Sequence, residues 1–467
     1  MQIMGKQCFP LVSICKKMMS SVTKIPRQEY TKKLYRMTRN NRLFPMPPDH
    51  IKESDYIDLT SRNSLSRIYV WGLSSYGALG IPEYLQPIKK SLVRYKKNGY
   101  FKPIVHRHHP VRCSHAETKD VVDVSCGFGF TLFVTKNKEY QLLGCGLNKD
   151  GQIGYHSNEK NKPLDILIQP TKIQLPDEAR ISKVSCGRAH SLILSKDGRV
   201  FTLGNNAYGQ CGRHIIENED YFLNRNVHTL DHFNGDRIQN IVAGQDHSLF
   251  LSEEGRVFSC GWSADGQTGL EHYNNQGSVS LVKGDIKNER IVKLACAADC
   301  CLALNDKGEV FGWGNAEYGQ FNFVSDEQQI NRPTLLPLNK ELGRIIDVAS
   351  GGSVCYVLNE NHELYVWGYG ILGIGQDVEY STVPLAIPST YFGKSKWEPD
   401  VYPTKIFSGV GTNAVINSKG DLYLWGKNRS GCLGLGKVND KYIPSKVVLE
   451  VEAKRISLGI DHSAALC

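Results

Sequence analysis

Three histidines in this 467-residue chain sit in one local pattern. They close the units Gly187-Arg188-Ala189-His190, Gly244-Gln245-Asp246-His247 and Gly459-Ile460-Asp461-His462. Asp299, just before Cys300, fills the acidic position of a further copy. An imidazole beside a carboxylate can pass a proton, hold a metal or make a structural hydrogen bond. Phe130, Cys300, Val354 and Thr412 replace the histidine in the remaining copies. Equivalent positions of a repeat lie too far apart to share one metal or one catalytic step. The expected role of each imidazole is therefore a hydrogen bond to backbone.

Other chemistry is sparse. His106, His108, His109, Cys113 and His115 crowd into HRHHPVRCSH, but without a standard zinc spacing, so a solvated mixed loop is expected there. No phosphate-binding G-x-x-x-x-G-K-[ST] occurs. Gly368, Gly370 and Gly373 spell G-x-G-x-x-G, yet Ile374-Gly375-Gln376 does not open a helix, so dinucleotide binding is not expected. Most of the fourteen cysteines keep the repeat's phase: Cys126, Cys186 and Cys296 share one position, and Cys145 and Cys260 stand where other copies have Trp71, Trp313, Trp367 and Trp425. Such thiols read as small buried hydrophobes in a reducing compartment. No metal, no cofactor and no bond-breaking constellation is expected.

The elements that carry these residues repeat seven times. A short apolar strand runs into a glycine turn, as in YVWGLSSYGALG at Tyr69–Gly80 and FGWGNAEYGQFN at Phe311–Asn322. The anchor glycines are Gly72, Gly146, Gly204, Gly261, Gly314, Gly368 and Gly426. Upstream of each come alternating apolar runs split by a glycine turn and by pairs such as Asp197-Gly198 and Glu254-Gly255, which read as half-buried strands and hairpins. At Asn137-Lys138 and Asn361-His362 the glycine is missing, and asparagine is expected to take the left-handed turn position. About four strands per repeat predict an all-β fold, a seven-bladed β-propeller of four-stranded blades. Arg67–Gly80 lacks an upstream half, and Arg455–Cys467 is an upstream half without an anchor. Together they predict one blade shared between N- and C-terminal strands, which closes the ring. The expected layout is a leader and basic linker over 1–55 and a propeller over 56–467, with insertions at 81–120 and 376–402.

The strings VSCGRAHSL at Val184–Leu192, DGRVF at Asp197–Phe201 and GNNAYGQCG at Gly204–Gly212 resemble the regulator of chromosome condensation repeat family. The resemblance covers Arg67 to Cys467 and is closer still to the mitochondrial branch of that family, through stretches such as SCGWSADGQTGLEHYN at Ser259–Asn274. It implies a guanine nucleotide exchange factor whose G-x-D-H loops face a GTPase. The residues implied are Asp246, His247, Asp299, Asp461, His462 and His190. The client implied is a dynamin-like mitochondrial GTPase of inner-membrane fusion. The same branch also implies an alternative: a scaffold for mitochondrial ribosome biogenesis, binding large-subunit rRNA and pseudouridine synthases. Neither role breaks a bond in the nucleotide.

Charge is unevenly spread. Residues 1–45 hold ten Lys or Arg and one acid, which equals the whole net charge of +9. A basic, acid-poor, serine-bearing start reads as a mitochondrial transit peptide. A secretory core over Phe9–Cys15 would be short and broken by Pro10. A basic arm on nucleic acid is the other reading. Residues 81–120 hold nine bases against three acids with Tyr84, Tyr95, Tyr100 and Phe101 interleaved. Lys89, Lys90, Arg94, Lys96, Lys97, Arg107 and Arg112 are the candidates there for RNA or an anionic membrane, against a solvated loop as the plain alternative. No run approaches the roughly 20 apolar residues of a membrane span, so any association with the inner membrane would be peripheral, from the matrix side.

Overall fold

The computed structural model describes residues 66–74, 76–81, 106–176 and 178–467. The transit-peptide region and Lys89, Lys90, Arg94, Lys96 and Lys97 lie outside them. One compact unit comprises 63–84, 103–157 and 163–467. Asn158–Lys162 belongs to a second unit and forms a turn in which the Asn158 carboxamide accepts from the N–H groups of Lys160 and Lys162.

The first unit is a seven-bladed propeller of four-stranded antiparallel sheets. Blade 1 runs, in sheet order, through Arg455–Leu458, His462–Leu466, Ile68–Leu73 and His106–Arg112. Blades 2 to 7 begin at Val121, Ile181, Ile238, Ile291, Ile345 and Pro403 and follow sequence order outward. The first strands of successive blades touch one another in an unbroken cycle, so they line the axis. The second strands, such as HSLILS at His190–Ser195, are buried along their whole length, because both faces of a blade pack on neighbours. That explains why these runs are continuously apolar rather than alternating.

The anchor glycines are forced by backbone crossing. All seven have φ between 95° and 116°. A Cβ at Gly314 would stand 2.1 Å from the Asp299 carbonyl oxygen, and one at Gly146 would stand 2.4 Å from that of Gly129. The next N–H then donates to that same carbonyl, for example Asn315 to Asp299 and Trp262 to Asp246, both at 2.8 Å. The anchor thus pins the turn before each second strand, where the candidate residues sit.

Blades are also stitched sideways. Trp71, Trp313 and Trp367 donate their indole N–H to turn carbonyls of the preceding blade, at Cys432, Gln267 and Gln320. Near the axis, one position per first strand reads Arg455, Asp123, Lys183, Asn240, Lys293, Asp347 and Lys405. Asp123 pairs with Arg455 of blade 1 and accepts from the Val184 N–H of blade 3 at 3.0 Å. Asp347 does the same between Lys293 of blade 5 and the Ile406 N–H of blade 7.

Three local expectations need correction. His106–Arg112 lies inside the expected 81–120 insertion, yet it is the fourth strand of blade 1. Tyr380–Ile387, inside the expected 376–402 insertion, is likewise the fourth strand of blade 6. Outer strands carry a weak apolar signal because one edge faces water. In the glycine-free turns asparagine is not the left-handed residue: His362 takes φ 60° and stacks on Tyr402. Asn137 instead accepts from the N–H groups of Glu139 and Tyr140, closing a longer loop.

Candidate functional site

The residues before the seven second strands form one rim of the propeller. Their types are Gly129, Ala189, Asp246, Asp299, Ser353, Gly411 and Asp461. Three of the seven are acidic. Asp150 and Asp265, in the glycine turns of blades 2 and 4, add two more carboxylates close enough to push up the pKa of Asp246 and Asp299 respectively.

The three rim aspartates are not equivalent. Asp246 is only 8 % exposed. Arg188 of blade 3 grips it with a fork, Nε to Oδ1 at 3.1 Å and Nη2 to Oδ2 at 2.5 Å. Burial raises the Asp246 carboxyl and Arg188 pulls against it. Asp299 is half-buried and accepts from Gln267 Nε2 at 3.0 Å. Burial pushes it up to about 6; the His247 ring opposes this and Asp265 adds to it. Asp461 is half-buried too, and no side-chain hydrogen bond reaches its carboxylate among the described residues. Burial alone raises it.

The histidine rings point into the interfaces between blades. His190, His247 and His462 are wholly buried, so their rings present nothing to a partner. Each ring meets a side chain of the next blade, and His190 and His462 also bond backbone there, at His247 and Phe130. His190 Nε2 meets Ser248 Oγ at 3.1 Å, and His462 Nε2 meets Thr131 Oγ1 at 2.8 Å. Each hydroxyl donates onward to a turn carbonyl, Ser248 to Gln210 and Thr131 to Ala78, so the imidazole Nε2–H must be the donor to it. Burial lowers His190 to about 3 and His462 to about 4.

His247 meets thiols instead, Cys296 Sγ at 3.3 Å and Cys301 Sγ at 3.4 Å. Burial raises the Cys296 thiol, but Cys301 and the His247 ring outweigh it and bring it down to about 5. At His247 burial is in turn outweighed by Cys296, Asp299 and Asp246, and its pKa rises. Cys145 and Cys260 are the buried thiols expected, their Sγ atoms facing the turn carbonyls of Ala78 and Gln210.

Two of the basic candidates can be placed. Arg107 and Arg112 lie on the fourth strand of blade 1. Arg112 is committed to Glu117, with Nη2 to Oε2 at 2.7 Å, and that carboxylate also accepts from the Ile68 N–H at 3.0 Å. Sequence reasoning missed Arg188. It is the one cation among the second residues of the seven turns, Phe128, Arg188, Gln245, Ala298, Gly352, Val410 and Ile460, and that asymmetry was available to find it.

Known proteins share this arrangement. The regulator of chromosome condensation (RCC1) repeat matches residues 66–134, 141–194, 197–251, 307–358 and 419–466. The "RCC1-like G exchanging factor-like protein" of Mus musculus is 41% identical over 409 residues, covering 86% of this chain and 87% of the relative. Its Homo sapiens counterpart is 41% identical over 407 residues, covering 86% of each. The crystal structure of human WBSCR16 superposes with a TM-score of 0.80 at 40% identity, over 86% of this chain and 99% of that one. With repeats matched around the ring and relatives aligned along most of their length, this chain belongs to the RCC1 repeat family.

Proposed function

We propose that this propeller is a mitochondrial guanine nucleotide exchange factor, and that its client is a dynamin-like GTPase of inner-membrane fusion. The exchange role is supported by the relatives that carry the name G exchanging factor-like at 41% identity. The observation that carries the site is Asp461: a half-buried carboxylate on the same rim as Asp299, without a hydrogen-bonding partner among the described residues. A carboxylate left in that state is suited to a cation supplied by something that docks. An exchange factor acts by binding the nucleotide-free GTPase more tightly than the loaded form. Rim carboxylates that compete with phosphate for the GTPase's own cations, or displace its metal, supply that difference without a nucleophile or base.

The test is release of a fluorescent GDP from the purified GTPase. Asp461→Asn should slow stimulated release about tenfold, equivalent to ~1.4 kcal/mol of lost differential affinity, while thermal unfolding stays unchanged. Asp246→Ala should instead cost roughly 1 kcal/mol of stability by stranding Arg188. Normal release with Asp461 and Asp299 both changed to asparagine sinks the rim assignment.

A second reading rests on charge. The nine bases against three acids over 81–120 suit large-subunit mitochondrial rRNA, alongside rRNA-modifying pseudouridine synthases, or a peripheral hold on the inner membrane. Among the described residues no helix is long and apolar enough to cross a membrane. Charge reversal at Lys89, Lys90, Lys96 and Lys97 should leave GDP release intact. If it abolishes rRNA association and mitochondrial translation while the rim variants are silent, the ribosome scaffold is the main role. Delivery to the matrix side or the inner-membrane periphery rests on the basic excess of residues 1–45. A reporter fused to those residues should enter mitochondria; a nuclear or secreted reporter overturns the location.

A further inference from the structure

The seven blade interfaces allow an internal comparison. At each histidine the ring meets the second residue of the following blade's second strand, and paired with that residue across the hairpin stands the one that ends the first strand. Beside His462 these are Cys126 and Thr131; beside His190 they are Ala243 and Ser248; beside His247 they are Cys296 and Cys301. Two interfaces therefore hold a hydroxyl that relays one hydrogen bond. The third holds two thiols.

Those three ligand atoms already form a closed triangle. His247 Nε2 lies 3.3 Å from Cys296 Sγ and 3.4 Å from Cys301 Sγ, and the two sulfurs are 3.5 Å apart. Metal–sulfur bonds of ~2.3 Å and metal–nitrogen bonds of ~2.0–2.1 Å in a tetrahedron give ligand edges of about 3.5–3.8 Å. A trigonal monovalent ion would need somewhat longer edges. The atoms are held by rigid parts: His247 opens a fully buried strand, and Cys296 and Cys301 face each other in register across a hairpin. His247 and Cys301 are buried, and Cys296 is partly exposed.

We propose that His247, Cys296 and Cys301 bind one zinc ion between blades 4 and 5, with the fourth position open to water. Binding releases two protons to solvent, one from the Cys301 thiol and one from the Cys296–His247 pair, and the neutral imidazole donates its Nε2 lone pair while Nδ1 keeps the hydrogen. Asp299, three residues beyond Cys296, lies close enough for its charge to act on both His247 and Cys296.

The experiment uses the reduced, chelator-stripped full-length chain and Co2+ as a spectroscopic probe. One equivalent should bind with thiolate-to-metal charge-transfer absorption in the near ultraviolet, and Zn2+ should bleach it. Cys296→Ala and Cys301→Ser install the residues that blade 4 carries at these positions, Ala243 and Ser248, so both variants should fold. Each should weaken uptake by more than the roughly 10–100-fold that loss of even an outer partner costs. Cys300→Thr, which removes the neighbouring thiol that faces Cys355 at 3.7 Å, should leave uptake unchanged. No uptake by the wild-type chain, or uptake that survives both Cys296→Ala and Cys301→Ser, overturns the site. So does a Cys296–Cys301 disulfide as the resting form of protein isolated without oxidant.

Discussion

His462 stays neutral far below the pH at which a free imidazole takes a proton, because it is wholly buried against Thr131. Its pKa falls from 6.5 to about 4. The unfolded chain therefore binds a proton first. The stability this group contributes is complete above pH 6.5 and is lost as pH falls towards about 4. Denaturant unfolding at pH 7.5 and at pH 4.5 should show His462→Gln losing roughly 2–3 kcal/mol less than the wild type over that interval. Equal losses would show that the ring is protonated in the fold. The histidine pattern itself was legible in the sequence, and so were the acidic rim positions. The partners were not. Comparing like positions in the repeat correctly places them far apart, but the contacts join unlike positions in adjacent blades, as with His247 and Cys301 or Arg188 and Asp246.

At the scale of elements, the strands of blade 1 come from both ends of the propeller sequence. Ile68–Leu73 pairs with His462–Leu466 on one side and with His106–Arg112 on the other. Removing Arg455–Cys467 takes away the two inner strands of blade 1, the buried side chains of Ile456, His462 and Leu466, and the Arg455 partner of Asp123. Each large apolar side chain is worth about 1.5–3 kcal/mol, so the midpoint of thermal unfolding should drop by roughly 5 °C. An unchanged midpoint would mean that closure contributes nothing to the ring. The anchor glycines and the inner three strands of each blade could be read directly, because steric necessity and burial leave few residue choices. The fourth strands could not: His106–Arg112 and Tyr380–Ile387 each present exposed or half-exposed residues along nearly their whole length, so their composition resembles a loop.

For the whole molecule, period alone settled the architecture, since seven phased copies admit few other solutions. What period hides is the departure from symmetry. Only blades 1, 4 and 5 place a carboxylate just before the second strand, and the charges around the axis follow no sevenfold rule. Function belongs to those departures. The shared blade also sets an order of events. A chain made or threaded N-terminus first presents Ile68–Leu73 early, yet its partner His462–Leu466 arrives after every other blade. In between, an open arc of sheets has a bare edge at each end, and the contact that removes both is among the longest in sequence. Such a closure is slow and exposed to mispairing. The interval before it is when the chain is most open to mispairing, and a stalled or nicked chain remains an open arc with both edges still seeking a strand.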